Sequence, residues 1–163
     1  GPASVEDLDL DAYRKAIDLN VTAAALGAGQ VAQYMRKRGG GSIIFPASVS
    51  GLVGSMMSPI YSAAKWGVVG LTKSLALALA GDKIRVNVVC PGLADTPMKM
   101  GFTGRSGDPA EAAANEAKLI ANVPMGRLVQ AGEIADAALW LASDEASFVT
   151  GVALPVDGGF TAR

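Results

Sequence analysis

The amino-acid sequence predicts an α/β fold with a parallel sheet. Two runs, Ser42–Ala47 and Lys83–Val89, have the length and the apolar, β-branched composition of buried strands. The apolar stretch between them, Pro59–Ala80, has the length of a helix, and strand-helix-strand is typical of a parallel unit with a right-handed crossover. Phe148–Val156 predicts a final strand region. With 163 residues and 50% hydrophobic content the chain can bury one sizeable core, so we expect one domain over residues 1–163.

Composition and charge argue against several classes of function. The net charge is −1, and the basic residues are scattered apart from residues 36–38, where a helix is predicted to end, so no nucleic-acid partner is indicated. A single cysteine, Cys90, and the lack of histidine argue against a disulfide scaffold and the usual zinc sites, and we expect no metal. Lys65 and Lys73 interrupt the most apolar predicted helix, so we expect no membrane span and a cytoplasmic protein.

The first part of the chain predicts one long helix over Asp11–Arg38. Its middle is rich in alanine, basic residues occupy its last turn, and Gly39–Gly41 follow as a stop signal. Asn20 lies inside this helix, where asparagine is mildly unfavourable. The ordinary explanation of such an asparagine is an exposed surface position.

A string inside the same helix imitates a nucleotide-binding motif. Gly27–Ala32 fits the pattern G-x-G-x-x-A of the dinucleotide fingerprint. That fingerprint works only after a strand and at the start of a helix, where backbone N–H groups can meet a pyrophosphate. Here the N–H groups are already used by the helix. We therefore reject the match and interpret these glycines and alanines as a close-packing surface.

A hydroxyl, a phenol and an ammonium follow the first predicted strand at spacings that suit a proton relay. Ser58 followed by Pro59 is typical of a helix start, so Tyr61 and Lys65, four residues apart, share one face of its first two turns. A nearby ammonium and the positive end of a helix both favour the phenolate. We therefore expect the pKa of Tyr61 to fall below its usual value of about 10. Ser48 precedes Tyr61 by 13 residues and follows the strand, at the edge where parallel sheets bind ligands.

Tyr-x-x-x-Lys alone is common on amphipathic helices, whereas strand, serine, spacing and Ser-Pro helix start together form a specific pattern. With this pattern the chain resembles the short-chain dehydrogenase/reductase family. The resemblance implies an oxidoreductase that interconverts an alcohol and a ketone or aldehyde by hydride transfer with NAD or NADP. A sugar, a polyol, a steroid and a carrier-bound oxoacyl group all stay open as substrates. By resemblance, Tyr61 exchanges a proton with the substrate, Lys65 lowers the Tyr61 pKa and contacts the ribose, and Ser48 positions the substrate oxygen. Asn20 matches the fourth catalytic residue, which lies in a helix irregularity and holds a water.

The second predicted strand ends in a Pro-Gly segment at the same edge of the sheet. A Pro-Gly pair after a strand usually indicates only a turn. The segment Cys90–Thr96 also resembles the family's Pro-Gly segment, which contacts the nicotinamide, and Asp157–Gly159 resembles the family's C-terminal tail. The resemblance therefore implies the following cofactor-binding residues: Tyr61, Lys65, Pro91, Gly92, Ala94 and Thr96.

The resemblance covers the chain without covering the family's whole domain. It implies a Rossmann-like doubly wound parallel sheet, incomplete here, with only the last strands and helices present. Nothing before Asp11 matches the family's N-terminal glycine-rich segment, so we interpret residues 1–163 as the C-terminal part of a single domain. We expect the chain alone to be inactive and to bind a dinucleotide weakly. The alternative is a truncated, non-catalytic chain that serves only as a packing or assembly partner.

One local departure from the family concerns the strand before Ser48. Phe45-Pro46-Ala47 stands where the family usually has Asn-Ile-Ser. Because proline removes a hydrogen-bond donor from a strand, the placement of Ser48 stays open at this point.

The segment Pro97–Pro124 is predicted to be a long loop with one short helix that starts at Asp108-Pro109. Long loops with apolar side chains above a sheet are often lids. Five apolar side chains near it form either a substrate pocket or ordinary packing: Met56, Met57, Met98, Met100 and Phe102.

Small side chains also suggest self-association. Ala63, Gly67 and Gly70 form a stripe along the predicted helix Pro59–Ala80, and interior glycines in a helix indicate close approach of another backbone. Family members pair this helix and the first long helix across dimer interfaces. We therefore expect a homodimer or homotetramer in which Gly67 lies at the contact.

Overall fold

The chain is described here by a computed structural model of residues 9–55, 58–103 and 108–162, without the side chain of Phe102. Its helices are α1 (Leu10–Ile17), α2 (Ala23–Lys37), α3 (Pro59–Leu79), α4 (Met100–Thr103), α5 (Pro109–Ile120) and α6 (Ala131–Ala142). A π-helical turn, Asp18–Thr22, joins α1 to α2. Three strands are present in the described part of the chain: β1 (Gly41–Pro46), β2 (Ile84–Pro91) and β3 (Ala153–Val156).

The strands form one parallel sheet in the order β1-β2-β3. In β1 and β2, Ile43 pairs with Val86 and Phe45 with Val88, and α3 connects the two strands. The predicted β-α-β unit and the α/β fold with a parallel sheet are therefore confirmed. In this parallel register, both carboxyl ends lie at one edge of the sheet.

The two faces of the sheet are covered by different helices. Ile43 and Val86 belong to the apolar core under α2 and α3. The hydroxyl of Ser42 instead donates to the carbonyl of Leu141 in α6 at 3.0 Å, and so does the Arg85 guanidinium at 2.7 Å. Because successive side chains of a strand point to opposite faces, α6 lies on the face opposite α3. The sheet is therefore wound on both sides.

Helix α3 is the core helix of this fold. It buries residues along most of its length, among them Ala64, Val68, Thr72, Ala76 and Leu79. Together with the turn that follows it, this helix spans Pro59–Asp82 and is long and apolar enough to cross a membrane. No other helix among the described residues meets that criterion. A helix that packs on a sheet passes the same test, so this is weak evidence for a membrane span.

The predicted single helix over Asp11–Arg38 is interrupted. Residues Asp18–Thr22 form a π-helical turn, and the amide of Asn20 donates to the carbonyl of Ala16 at 2.9 Å. Insertions of this kind occur mostly as single turns, frequently at functional sites. The irregularity that the family resemblance implied around Asn20 is therefore present.

The string Gly27–Ala32 lies inside α2, so rejecting it as a nucleotide-binding motif agrees with the structure. Ala28 and Ala32 are buried against the core. Gly27 and Gly29, however, are exposed, and an added Cβ would meet nothing within 4 Å at either position. The close-packing interpretation is right for the alanines and wrong for these two glycines within the chain.

Pro46 costs the β1–β2 pair no hydrogen bond. The N–H groups of Gly41 and Ala47 donate to carbonyls of the β2 side, from Lys83 and Val89. Because alternate residues of a strand donate to the same side, the nitrogen of Pro46 points away from β2. The strand therefore runs up to Ser48 without a break in this pairing.

The last strand is shorter than the predicted Phe148–Val156. Before it, Gly151 donates to the carbonyl of Val86 and Val152 to the side chain of Asn87, whose amide in turn donates to Val149. Because these residues bond to β2 partly through side chains, they lie outside the regular ladder. The strand is Ala153–Val156.

The close approach predicted for Gly67 occurs within the chain. A Cβ on Gly67 would lie 2.8 Å from a methyl group of Val21 in the π-helical turn, whereas a Cβ on Gly70 would meet nothing within 4 Å. Gly67 therefore packs its own helix against the turn that carries Asn20. Because Val21 of the same chain accounts for this close approach, Gly67 is not independent evidence for a homodimer contact, which stays a prediction.

This contact gives a stability prediction. Gly67→Ala should lower the free energy of unfolding of the complete protein by about 1–3 kcal/mol, because β-branched Val21 has little rotamer freedom in a helix and must be displaced. The matched control is Gly132→Ala in α6, where an added Cβ meets nothing. The control should be neutral or stabilising by up to about 1 kcal/mol. Urea denaturation measures both, and equal effects of the two substitutions would contradict the packing.

Candidate active site

A cavity of about 320 Å³ opens at the carboxyl edge of the sheet. Ser48 and Tyr61 line one side of it, and the segment after β2 lines another through Pro91, Gly92, Ala94 and Thr96. Six of the eight candidate site residues therefore meet at one place. The lining is mostly apolar with a few polar groups, which is the usual character of a small-molecule site.

The loop after β1 fixes Ser48. Ser48 begins a short 3-10 turn, Val49–Gly51, and its side-chain oxygen accepts from the N–H of Ser50 at 3.2 Å. The hydroxyl of Ser62 in α3 donates to the carbonyl of Ser50 at 2.6 Å. Gly51 is buried so close to α3 that a Cβ would lie 2.8 Å from the carbonyl oxygen of Lys65. The loop is thus tied to the first turns of α3, which carry Tyr61.

The expected lowering of the Tyr61 pKa is wrong for this structure. Burial of the phenol raises its pKa above 10.0, and a hydrogen bond with the Ser48 side chain lowers it by a smaller amount. Desolvation disfavours the charged phenolate, so the neutral phenol is the favoured form. Tyr61 therefore carries its proton at neutral pH in the chain as it stands.

Lys65 contacts the ring of Tyr61 rather than its hydroxyl. Its ammonium lies 5.4 Å from the centroid of the Tyr61 ring and donates to the carbonyl of Pro46 at 3.3 Å. A cation above a ring face is attracted to the ring quadrupole. Burial lowers the pKa of Lys65, with a weaker opposing effect from Cys90. Lys65 is not among the cavity-lining residues, whereas Tyr61, whose ring it faces, is one of them.

Asn20 also lies outside the cavity lining. Its side chain is bonded within its own helix, and its π-helical turn packs on α3 through Val21 and Gly67. The turn therefore packs against α3, the helix that also carries Tyr61 and Lys65.

Cys90, near the end of β2, is fully buried and interacts with Ser48 and Lys65. Burial raises the pKa of its thiol to about 11, against smaller lowering effects from Ser48 and Lys65. A thiol with this pKa stays protonated at neutral pH and is a poor nucleophile. Cysteine chemistry therefore does not compete with the hydroxyl groups of Ser48 and Tyr61.

Sequence reasoning missed the C-terminal turn as part of the cavity. The Asp157 carboxylate accepts from the N–H of Gly159 and from both the N–H and the hydroxyl of Thr161. Met125 donates to the carbonyl of Gly158 at 3.1 Å and fastens this turn to the segment after α5. Asp157 and Phe160 line the cavity as a result. The Asp-Gly-Gly string was the available signal, yet it indicated a turn without indicating where the turn packs.

The segment Pro97–Pro124 supplies a further part of the wall. Met98, Leu119 and Val123 line the cavity, so the pocket alternative holds for Met98, whereas the lid interpretation stays a prediction. Met100 is exposed and is not a lining residue. Met56, Met57 and the Phe102 side chain lie outside the described residues.

Lys99 is the one cationic side chain that lines the cavity among the described residues. Its ammonium lies 2.8 Å from a carboxylate oxygen of Asp95 and 3.3 Å from one of Glu116. Lys99, through its hydrogen bond and charge, lowers the pKa of Asp95. The ammonium thus joins the loop after β2 to α5.

The Tyr61 environment gives a titration prediction. In the folded protein without cofactor, Tyr61 should ionise above pH 10.0 because its phenolate is desolvated. A pKa raised by folding contributes stability below the ordinary pKa, and this contribution is lost as the pH rises through the folded value. Ultraviolet titration of phenolate absorbance measures the ionisation. Ser48→Ala should shift it to higher pH, and Tyr61→Phe should remove it.

The matched control is Tyr34→Phe, since the Tyr34 side chain is exposed. That substitution should leave the ionisation above pH 10.0, which belongs to Tyr61, in place. Ionisation of Tyr61 below pH 10 would contradict the burial effect.

Comparisons with known proteins place this geometry in a family. A family model described as enoyl-(acyl carrier protein) reductase matches residues 1–161. The chain is 44% identical to cis-4-hydroxycyclohexanecarboxylate dehydrogenase of Sinomonas cyclohexanicum over 98% of the chain and 61% of that protein. It is 38% identical to cyclohexanol dehydrogenase of Acinetobacter sp. over 98% of the chain and 59% of that protein.

A solved structure of another dehydrogenase has the same fold as this chain. The crystal structure of a putative 2-deoxy-D-gluconate 3-dehydrogenase from Agrobacterium tumefaciens, with bound NADP, superposes with a TM-score of 0.86 at 32% identity. The match covers 98% of this chain and 63% of that one. The chain therefore spans about three fifths of the length of the relatives that it matches. On the family match and the shared fold, the chain belongs to the short-chain dehydrogenase/reductase family.

Proposed function

We propose that the complete protein is an NAD(P)-dependent oxidoreductase that interconverts an alcohol and a ketone or aldehyde. The observation that carries this proposal is the convergence of Ser48 and Tyr61 with the Pro91–Thr96 segment around one apolar cavity. Dehydrogenase relatives support it.

The cavity fits a nicotinamide ring beside a small substrate. Its volume of about 320 Å³ is at the low end for ligand sites, and the Pro91–Ala94 segment lines part of it. Pro91, Gly92, Ala94 and Thr96 would hold the ring, and Lys65 and Tyr61 would lie towards the ribose. The NADP-bound relative supports a nicotinamide cofactor, with NAD and NADP both open. When bound, the cofactor supplies or accepts the hydride.

The proton chemistry belongs to the side chains of this chain. In the reducing direction, Tyr61 donates its phenolic proton to the carbonyl oxygen of the substrate, and the hydroxyl of Ser48 donates a hydrogen bond to the same oxygen. The raised pKa of Tyr61 keeps the phenol protonated for this step. The Lys65 ammonium then stabilises the phenolate, and we assign to Asn20 the water through which the proton is replaced.

In the oxidising direction Tyr61 must start as a phenolate, which its burial disfavours. Movement of the Lys65 ammonium from the Pro46 carbonyl towards the phenol would lower the pKa of Tyr61.

We also propose a cytoplasmic homodimer or homotetramer. Exposed apolar side chains on α2 and α3 support association, namely Leu26, Tyr34, Trp66 and Leu77. A second copy that covered these helices would remove this apolar surface from water.

The substrate is proposed to be a small alcohol or its ketone. The names of two relatives support a six-membered ring in the substrate. One of these names includes a carboxylate and the other does not, so they leave the charge of the substrate open.

The catalytic prediction concerns Tyr61. In the complete protein, Tyr61→Phe should lower kcat by about 10²–10⁴, because it removes a positioned proton donor. Cofactor affinity, measured by fluorescence titration, should change little. The matched control Tyr34→Phe should keep full activity. Steady-state rates within threefold of wild type for Tyr61→Phe would remove this residue from the mechanism.

The assembly prediction concerns Leu77, which is 84% exposed. Leu77→Glu should shift the complete protein to a smaller species in light scattering, because a charge would be buried at the contact. Ala117→Glu places the same charge on an exposed position of α5 and should leave the mass unchanged. A monomeric wild type, or an unchanged mass for Leu77→Glu, would contradict the proposed association through α2 and α3.

A further inference from the structure

The charges around the cavity point to a more specific substrate class. The polar groups at the reacting end of the cavity, Ser48 and Tyr61, are neutral. The rest of the lining is largely apolar, including Leu93, Leu119, Ile134 and Phe160. Any charged substituent on a substrate would therefore depend on Lys99 and Asp157, the charged side chains of the lining in the described part of the chain.

The charge of Lys99 is already compensated within the chain. Its ammonium contacts two carboxylates, Asp95 at 2.8 Å and Glu116 at 3.3 Å. One cation between two anions leaves a net charge of about −1 on this group at neutral pH. Its side chains are partly exposed, by 26% for Lys99, 44% for Asp95 and 30% for Glu116, so solvent weakens the effect without removing it.

Asp157 adds a second negative group. Its carboxylate is buried and is held by three hydrogen bonds from Gly159 and Thr161. These donors fix the carboxylate in the C-terminal turn. Because all three are neutral groups, they do not cancel its negative charge. An anionic substrate would therefore enter an apolar cavity and meet a surplus of negative charge there.

We infer that this site selects neutral alcohols and ketones with a single six-membered ring over those that carry a carboxylate. Glu116 and Asp95 determine this selection because they neutralise Lys99. The inference rests on the proposed oxidoreductase function and deepens it. A carboxylate would have to displace Glu116 or Asp95 from Lys99 and lose its own hydration. A neutral amide or an unsubstituted ring pays neither cost.

The test uses two substrates of nearly equal shape, 4-hydroxycyclohexanecarboxamide and 4-hydroxycyclohexanecarboxylate. For the complete wild-type protein at low salt, kcat/KM for the amide should exceed that for the acid by about tenfold or more, mainly through KM. The ratio should shrink as salt is added, since screening weakens the repulsion. A ratio of one or below, or a preference for the acid, would overturn the inference.

Glu116→Gln supplies the second arm. It leaves Lys99 with one carboxylate partner, so the amide-to-acid ratio should fall by about threefold or more. Glu111→Gln removes a charge from an exposed position of the same helix, α5, and should leave the ratio as in wild type. Equal ratios for Glu116→Gln and Glu111→Gln would overturn the role of Glu116.

A binding measurement separates this inference from the proposed function. Turnover of neither substrate with NAD or NADP would count against the proposed function. Calorimetry with cyclohexanecarboxamide and cyclohexanecarboxylate then still decides the charge preference. Tighter binding of the amide supports it, whereas equal binding, tighter binding of the acid or binding of neither ligand overturns it.

Discussion

The parallel register of β1 and β2 is the constraint on which the candidate site depends. Phe45 pairs with Val88 and Pro46 with Val89, and the N–H of Ala47 continues the pairing to Val89 at 2.8 Å. Because both strands end at the same edge, the loop of Ser48 and the Pro91–Thr96 segment must be neighbours. A slip of one residue would turn the buried Ile43 and Phe45 towards the opposite face, so the apolar core holds this register.

The sequence predicts the elements of this arrangement because they depend on local signals. Apolar runs, a Ser-Pro start for α3 and the glycines after α2 place β1, β2, α3 and the end of α2 within two residues of their observed bounds. The contribution of Asp157 and Phe160 to the cavity depends instead on how the C-terminal turn packs on Val123 and Pro124. Tertiary packing of this kind leaves no periodic pattern in the sequence.

The Tyr61 pKa shows a second limit of sequence reasoning. The four-residue spacing places Lys65 on the same helix face, which is correct. Spacing does not say which atom of Tyr61 the ammonium approaches. In the structure it lies over the ring and bonds the Pro46 carbonyl, so burial of the phenol determines the direction of the shift. Burial therefore favours the neutral phenol of Tyr61 in this chain.

The central claim is that substrate and nicotinamide meet between Ser48, Tyr61 and the Pro91–Thr96 segment. A crystal structure of the complete protein with NAD or NADP and an unreactive ketone analogue tests it most directly. We expect the ketone oxygen within hydrogen-bond distance of both the Ser48 and Tyr61 hydroxyls, with the nicotinamide against the Pro91–Ala94 segment. A ketone or nicotinamide bound away from this cavity, with Tyr61 out of reach of the oxygen, would contradict it.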